Sequence, residues 1–218
     1  MTFTQTALIL DFGGVLTTDL WASIRACAHR EGLPDEALLD LLHHDHEIRR
    51  LFVALERGDV SQTAFEARLA AAAGISPDGL LARMCATLEP DEAMLAAVAT
   101  LRDGGVRIGV LSNSWGSGYF DPYDGYRLED RADVVVISDR VRLRKPEPAI
   151  FALVLRRLGV EAKATVFVDD VAANLPAARA LGMGVIHHRN ASETIVELGH
   201  RFGIPLRVAG RVTSRLTD

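Results

Sequence analysis

The chain has 218 residues, which allows one domain with a large insert or two small ones, and either can bury a real core. Hydrophobic residues make up 49% and charged residues 24%, ordinary globular usage that excludes disordered, collagenous and coiled-coil readings. A formal net charge of −5 argues against a nucleic acid backbone as the main partner but leaves room for a local basic pocket.

The first apolar run, Ala7–Leu10, predicts a buried strand and stops at Asp11. Residues 18–89 then show helical spacing, as in Ile24 and Ala28, Leu38, Leu41 and Leu42, or Phe65, Leu69 and Ala72, with no convincing strand. Residues 90–104 open on Pro-Asp-Glu and close on Asp-Gly-Gly, a helix start and stop. Val106–Leu111 predicts the second strand. The segment 114–131 after it is polar, aromatic and Gly-rich, and longer than the usual connection of about 4–6 residues. Val134–Ile137 predicts a third strand, 147–159 a helix, Thr165–Val168 a fourth strand, and 171–182 a helix closed by Gly182. The weaker run Gly184–Ile186 predicts a fifth strand. Beyond Gly203, Arg207, Arg211 and Arg215 are spaced by four, either as a basic helix face or as a solvated terminus.

Alternating strands and helices predict an α/β fold, a doubly wound parallel sheet with an inserted helical cap. The division expected is 1–17 and 90–205 as the core, 18–89 as the cap and 206–218 as a tail. Residues 1–10 hold no Lys or Arg and lack the shape of a secretory leader. No stretch approaches the roughly 20 apolar residues of a membrane span. Cys27 and Cys85 are too few for a disulfide scaffold and read as free thiols in a reducing compartment. A cytoplasmic protein without membrane or nucleic acid partners, monomeric or homodimeric, is the expectation.

Ligands of open α/β sheets bind beyond the carboxyl ends of the strands. The residues there are Asp11 after the first strand, Ser112 and Asn113 after the second, Lys145 before the 147–159 helix, and Asp169 and Asp170 after the fourth. Each taken singly reads equally well as a cap, a turn or a solvated side chain. Together they supply a nucleophile, donors for phosphate oxygens and carboxylates for a cation, the requirements of phosphoryl transfer.

Four segments in order, Leu8-Ile9-Leu10-Asp11-Phe12-Gly13, Val110-Leu111-Ser112-Asn113, Lys145-Pro146-Glu147-Pro148 and Val166-Phe167-Val168-Asp169-Asp170, resemble the motifs of the haloacid dehalogenase superfamily of aspartyl-phosphate hydrolases. The likeness spans about residues 6–187, and the helical insert resembles that family's cap. Gly13-Gly14-Val15, Glu56-Arg57-Gly58 and Arg144-Lys145-Pro146-Glu147 resemble the branch of bacterial sugar-1-phosphate phosphatases and the N-terminal phosphatase domain of soluble epoxide hydrolases. The resemblance implies a phosphatase of a small phosphorylated metabolite. Asp11 is then the nucleophile, Ser112 and the Asn113 amide hold phosphoryl oxygens, and Lys145 offsets their charge. Magnesium would bind Asp11, Asp170 and the Gly13 carbonyl, with Asp169 a second ligand, direct or through water, or an orienting group. Asn174 either positions this loop or is a solvated helix residue. The acidic pair argues against the metal-free dehalogenase branch.

The resemblance breaks at Gly13, where most phosphatases of the superfamily carry a second Asp that protonates the leaving group, a contribution of about 10²–10⁴-fold. Another group supplies the proton, with the run His43-His44-Asp45-His46 a candidate; or the leaving group needs little protonation; or the protein binds phosphorylated ligands without turnover. Substrate choice is expected from Trp21, Arg25, Arg49 and Arg50 of the cap and from Trp115, Gly116, Tyr119 and Tyr123 of the 114–131 loop. Trp115 is the candidate to stack on a sugar or ring, and Arg49 or Arg50 to reach a second anionic group.

Overall fold

The computed structural model describes residues 5–208 and 211–212. In chain order its elements are β1 (Ala7–Leu10), α1 (Leu20–Arg30), α2 (Ala37–His44), α3 (His46–Glu56), α4 (Gln62–Ala73), α5 (Leu80–Met84), α6 (Glu92–Asp103), β2 (Arg107–Ser112), α7 (Leu128–Arg131), β3 (Val134–Ile137), α8 (Ser138–Val141), α9 (Pro148–Leu158), β4 (Thr165–Asp169), α10 (Leu175–Ala180), β5 (Gly184–His187), α11 (Ala191–Phe202), β6 (Arg207–Val208) and β7 (Arg211–Val212).

Strands β1 to β5 form one parallel sheet in the order β3-β2-β1-β4-β5. Successive strand residues point to opposite faces, so each run feeds two cores. Leu8, Leu10, Ile108, Val110, Val166 and Val168 pack with α6 and α11, whereas Ile9, Leu111, Val136 and Phe167 pack with α9 and α10. Burial on both faces is why these runs are apolar throughout rather than alternating.

Helices α1 to α5 lie between β1 and α6 and bury a core of their own around Ile24, Leu38, Leu42, Leu55, Phe65 and Leu69. Asp19 starts α1 by accepting the Trp21 and Ala22 amides at 2.8 and 3.2 Å. The segments leading into and out of these helices run side by side, with Thr18 N–H donating to the Glu89 carbonyl and Asp91 N–H to that of Leu16. Trp115, from the loop after β2, is buried in the helical cluster and joins it to the sheet edge.

The chain end differs from the helical reading of its arginine spacing, and Arg207 is exposed. Arg207 and Val208 pair antiparallel with Val212 and Arg211, and Leu206 is fully buried in the core. The β-branched Val208 and Val212 suit an extended backbone better than a helical one. Arg215 lies outside the described residues. Cys27 and Cys85 are free and buried. Among the described residues no helix is long and apolar enough to cross a membrane.

Candidate active site

The strand order reverses between β1 and β4, and a crevice forms at such a switch point. Leu10 is paired with Val168, and Asp11 N–H donates to the Val168 carbonyl at 2.9 Å, so Asp11 and Asp169 emerge side by side. Ser112, the last residue of β2, flanks Asp11 on the other side.

Lys145 binds the two carboxylates together. Its Nζ lies 2.8 Å from Asp11 Oδ1 and 2.7 Å from Asp169 Oδ2, and the side chain is 1% exposed. Asn113 fixes the lysine loop from both directions: its Oδ1 accepts the Lys145 amide at 2.9 Å and its Nδ2 donates to the Lys145 carbonyl at 3.2 Å. Burial alone would lower the Lys145 ammonium, but Asp11 and Asp169 outweigh it and hold the group above the ordinary lysine range.

The three carboxylates are held differently. Asp11 Oδ1 accepts both Lys145 and the Phe12 amide, at 2.8 and 2.7 Å, and among the described residues Oδ2 accepts no hydrogen bond. Asp169 is fully buried and saturated: Oδ1 accepts the Val171 amide, Oδ2 accepts Lys145, and the Asn174 amide reaches both oxygens at 3.0 Å. Of the roles open to it in the sequence, the orienting one matches this bonding. Asn174 is itself buried and serves Asp169 rather than solvent. Asp170 is half-buried; its Oδ2 accepts Trp21 Nε1 from α1 at 3.2 Å. Gly14, with φ of 75°, passes so close beneath Asp170 that a Cβ there would stand 2.8 Å from Oδ2.

One ammonium therefore serves three acids. Burial, with Asp169 and Asp170 adding to it against Lys145, pushes the Asp11 carboxyl well above the usual carboxylate range. Burial and Asp169 push Asp170 up to about 6. Oxygens of Asp11, Asp169 and Asp170 all lie within 4.8 Å of one another. An all-carboxylate cluster with surplus negative charge fits a hard divalent cation, which would stabilise the ionised forms that burial disfavours.

Above this floor opens a cavity of ≈ 150 Å³ that reaches from Asp11, Ser112, Lys145 and Asp170 to side chains of α1, α3 and the loop after β2. Gly13 lines it, and a Cβ there would meet only Leu20, at 3.5 Å. The Tyr123 hydroxyl donates to Ser112 Oγ at 2.9 Å, and burial pushes its ionisation well above the ordinary range. Trp21 and Trp115 also line the cavity.

Several other expected residues do not reach it. Arg49 and Arg50 are exposed, because α3 turns Ile48 and Leu55 inward and leaves them on its outer face. Arg25 pairs with Glu36 at the surface, and Tyr119 is 58% exposed with its hydroxyl on Glu66. His43, His44, Asp45 and His46 are exposed, with the His43 ring packed on Trp21, so the imidazoles are not in the cavity. Gly116 has φ of 76° and packs against Leu55.

Two charged motifs quoted separately in the sequence meet here as a clasp between α3 and the lysine loop. Glu56 pairs with Arg144 at 2.5 Å and Arg57 with Glu147 at 2.6 Å; Asp59 pairs with Arg142, and Ser138 Oγ donates to the Glu56 carbonyl. Burial pushes the Glu56 carboxyl up, and Arg144 opposes it. Glu56 and Arg144 both line the cavity, as do Phe52, Leu20, Leu88 and Pro122. Glu56-Arg57-Gly58, Arg144-Lys145-Pro146-Glu147, Trp21 and Trp115 are the sequence signals for this wall; Leu20, Phe52, Leu88 and Pro122 have none.

The family model for haloacid dehalogenase-like hydrolases matches residues 5–182. The phosphoglycolate phosphatase of Rhodospirillum rubrum is 32% identical over 158 residues, covering 70% of this chain and 64% of that protein. Bifunctional epoxide hydrolase 2 of Sus scrofa is 34% identical over 119 residues, covering 52% of this chain and 21% of that one. The chain thus spans less than two thirds of either relative. A HAD family enzyme of Bacteroides thetaiotaomicron, solved as a magnesium complex, superposes with a TM-score of 0.64 at 23% identity, over 85% of this chain and 94% of that one, which shows the shared fold.

Proposed function

The chain belongs to the haloacid dehalogenase-like hydrolases, and we propose that within that family it is a magnesium-dependent phosphomonoesterase acting through phospho-Asp11. The observation that carries this reading is the asymmetry of Asp11. One oxygen is held by Lys145 and the Phe12 amide, and the other has no hydrogen-bond partner among the described residues of the cavity floor. A carboxylate fixed in this way is oriented for in-line attack on phosphorus and splits one hydrolysis into two displacements.

Asp11 Oδ2 bonds to phosphorus as the alcohol oxygen leaves, and water then cleaves the acyl phosphate and restores the carboxylate. Ser112, oriented by Tyr123, and the Asn113 amide are the donors for the phosphoryl oxygens. Lys145, whose ammonium form Asp11 and Asp169 favour, offsets the charge of the incoming phosphate. Asp11, Asp170 and the Gly13 carbonyl would hold magnesium, with Asp169 orienting Lys145. When bound, the ion supplies the positive charge that lets a dianion approach three carboxylates. The phosphatase relative and the magnesium-bound neighbour both agree with this reading.

The test is phosphate release from a panel of small phosphomonoesters, with magnesium or with chelator, alongside halide release from 2-chloropropionate. We expect phosphate release that stops with chelator and falls at least about 10³-fold in Asp11→Asn. Halide release without magnesium would assign the same aspartate to carbon–halogen chemistry. Tight binding of a phosphoester with no release would make the protein a binder.

A further inference from the structure

The phosphatase reading says nothing about the alcohol, but the cavity wall does. Resting on that reading, we propose that the substrate is the phosphomonoester of an apolar, aromatic alcohol, with neither a second anionic group nor sugar hydroxyls.

Beyond the floor, the wall is made by Leu20 and Trp21 of α1, Phe52 of α3, and Leu88, Trp115 and Pro122 from loops. The Phe52 and Trp115 rings lie 5.2 Å apart in a tilted pair, an arrangement that extends naturally onto a third ring. The polar tips near them are already engaged. Trp21 Nε1 donates to Asp170, and the Tyr123 hydroxyl donates to Ser112. A polyol placed against the apolar part of this wall would find polar partners only at its edge, where Glu56 and Arg144 already pair with each other, and each hydroxyl buried without a partner disfavours it.

A second anion fares no better. The cation on this side of the cavity, Arg144, lies 2.5 Å from Glu56, so a carboxylate or second phosphate that approached it would also face the Glu56 carboxylate. Arg49 and Arg50 are on the outer face of α3 and do not compensate.

The acid–base inventory agrees. Gly13 has no side chain, Glu56 is ion-paired, Lys145 sits between two carboxylates, and Asp170 belongs to the cation site. Among the described residues lining the cavity, none is a free acid placed for the leaving oxygen. An aryl ester needs none. As the Asp11 Oδ2–P bond forms, the P–O bond to the ring breaks, and the aryl oxygen keeps the electron pair as a phenolate that takes its proton from solvent.

Phosphonates, which cannot be hydrolysed, test the wall without any leaving-group effect. Calorimetric titration of the wild-type protein with magnesium should show phenylphosphonate binding about 10- to 100-fold more tightly than methylphosphonate, the effect of burying one ring. Phosphonoacetate, with its second anion, should bind no better than methylphosphonate, and Phe52→Ala should weaken phenylphosphonate alone. Equal binding of phenyl and methyl compounds, tighter binding of phosphonoacetate, or no binding of any of them overturns the proposal. In turnover, phenyl phosphate should exceed glucose 1-phosphate and 2-phosphoglycolate in kcat/KM by about 10-fold or more; the reverse order overturns it. Failure of every ester to release phosphate would remove the phosphatase reading instead, while the phosphonate order still decides what the wall accepts.

Discussion

At the floor of the cavity, charged groups emerge at strand ends and from the lysine loop, and Asp11, Asp169 and Lys145 are fixed by one another or by partners from other elements. Along its wall the side chains are largely apolar, come from α1, α3 and separate loops, and meet only because the helical insert packs over the sheet edge. The floor is dictated by topology: once β1 lies between β2 and β4, Asp11, Ser112 and Asp169 must be neighbours. The wall is a matter of side-chain choice on segments that topology merely brings near. On the proposed reading, chemistry and selectivity fall to different parts of the chain, joined through the Glu56–Arg144 and Arg57–Glu147 pairs.

Removing Lys145 attacks the floor and should have the largest effect. Lys145→Ala leaves Asp11 and Asp169 buried without their shared cation, and losing one partner of a buried pair costs about 3–5 kcal/mol. Urea unfolding with chelator present measures this. A loss below about 1 kcal/mol, the range of surface pairs, would mean that the carboxylates do not depend on the lysine.

Gly13→Asp adds a floor function and touches the wall only at Leu20. A Cβ there stands at ordinary contact distance from Leu20, 3.5 Å, so the backbone position accepts a side chain. Turnover of alkyl phosphates, whose alkoxides leave poorly, should rise by about 10²-fold, while phenyl phosphate changes by no more than about threefold. An equal change in both ester classes would show that leaving-group protonation is not what the glycine lacks.

The contrast between floor and wall also explains what the sequence made legible. The strands are readable within a residue or so at their ends, because fully buried parallel strands leave unbroken apolar runs such as Ala7–Leu10. The site residues followed directly, since they stand at the ends of those runs. α7 and α8, four residues each, are too short for periodicity to register. α11 has a legible pattern in Ile195, Leu198 and Phe202 after the cap residue Asn190, although it lies beyond the four motifs. Asn174 reads equally as a loop partner or a solvated residue, because local sequence does not reveal that both Asp169 oxygens face it. Phe52, Leu88 and Pro122 could not be read as a wall at all: their only common feature is position in the folded chain.

The floor converges on one atom, Asp11 Oδ2, which accepts no hydrogen bond among the described residues. The direct measurement is acid quench of the wild-type protein during turnover of phenyl phosphate with magnesium, followed by peptide mass spectrometry. The account predicts a phosphate adduct on the peptide that carries Asp11, absent from Asp11→Asn and from unreacted protein. Steady turnover with the adduct on another residue would contradict it.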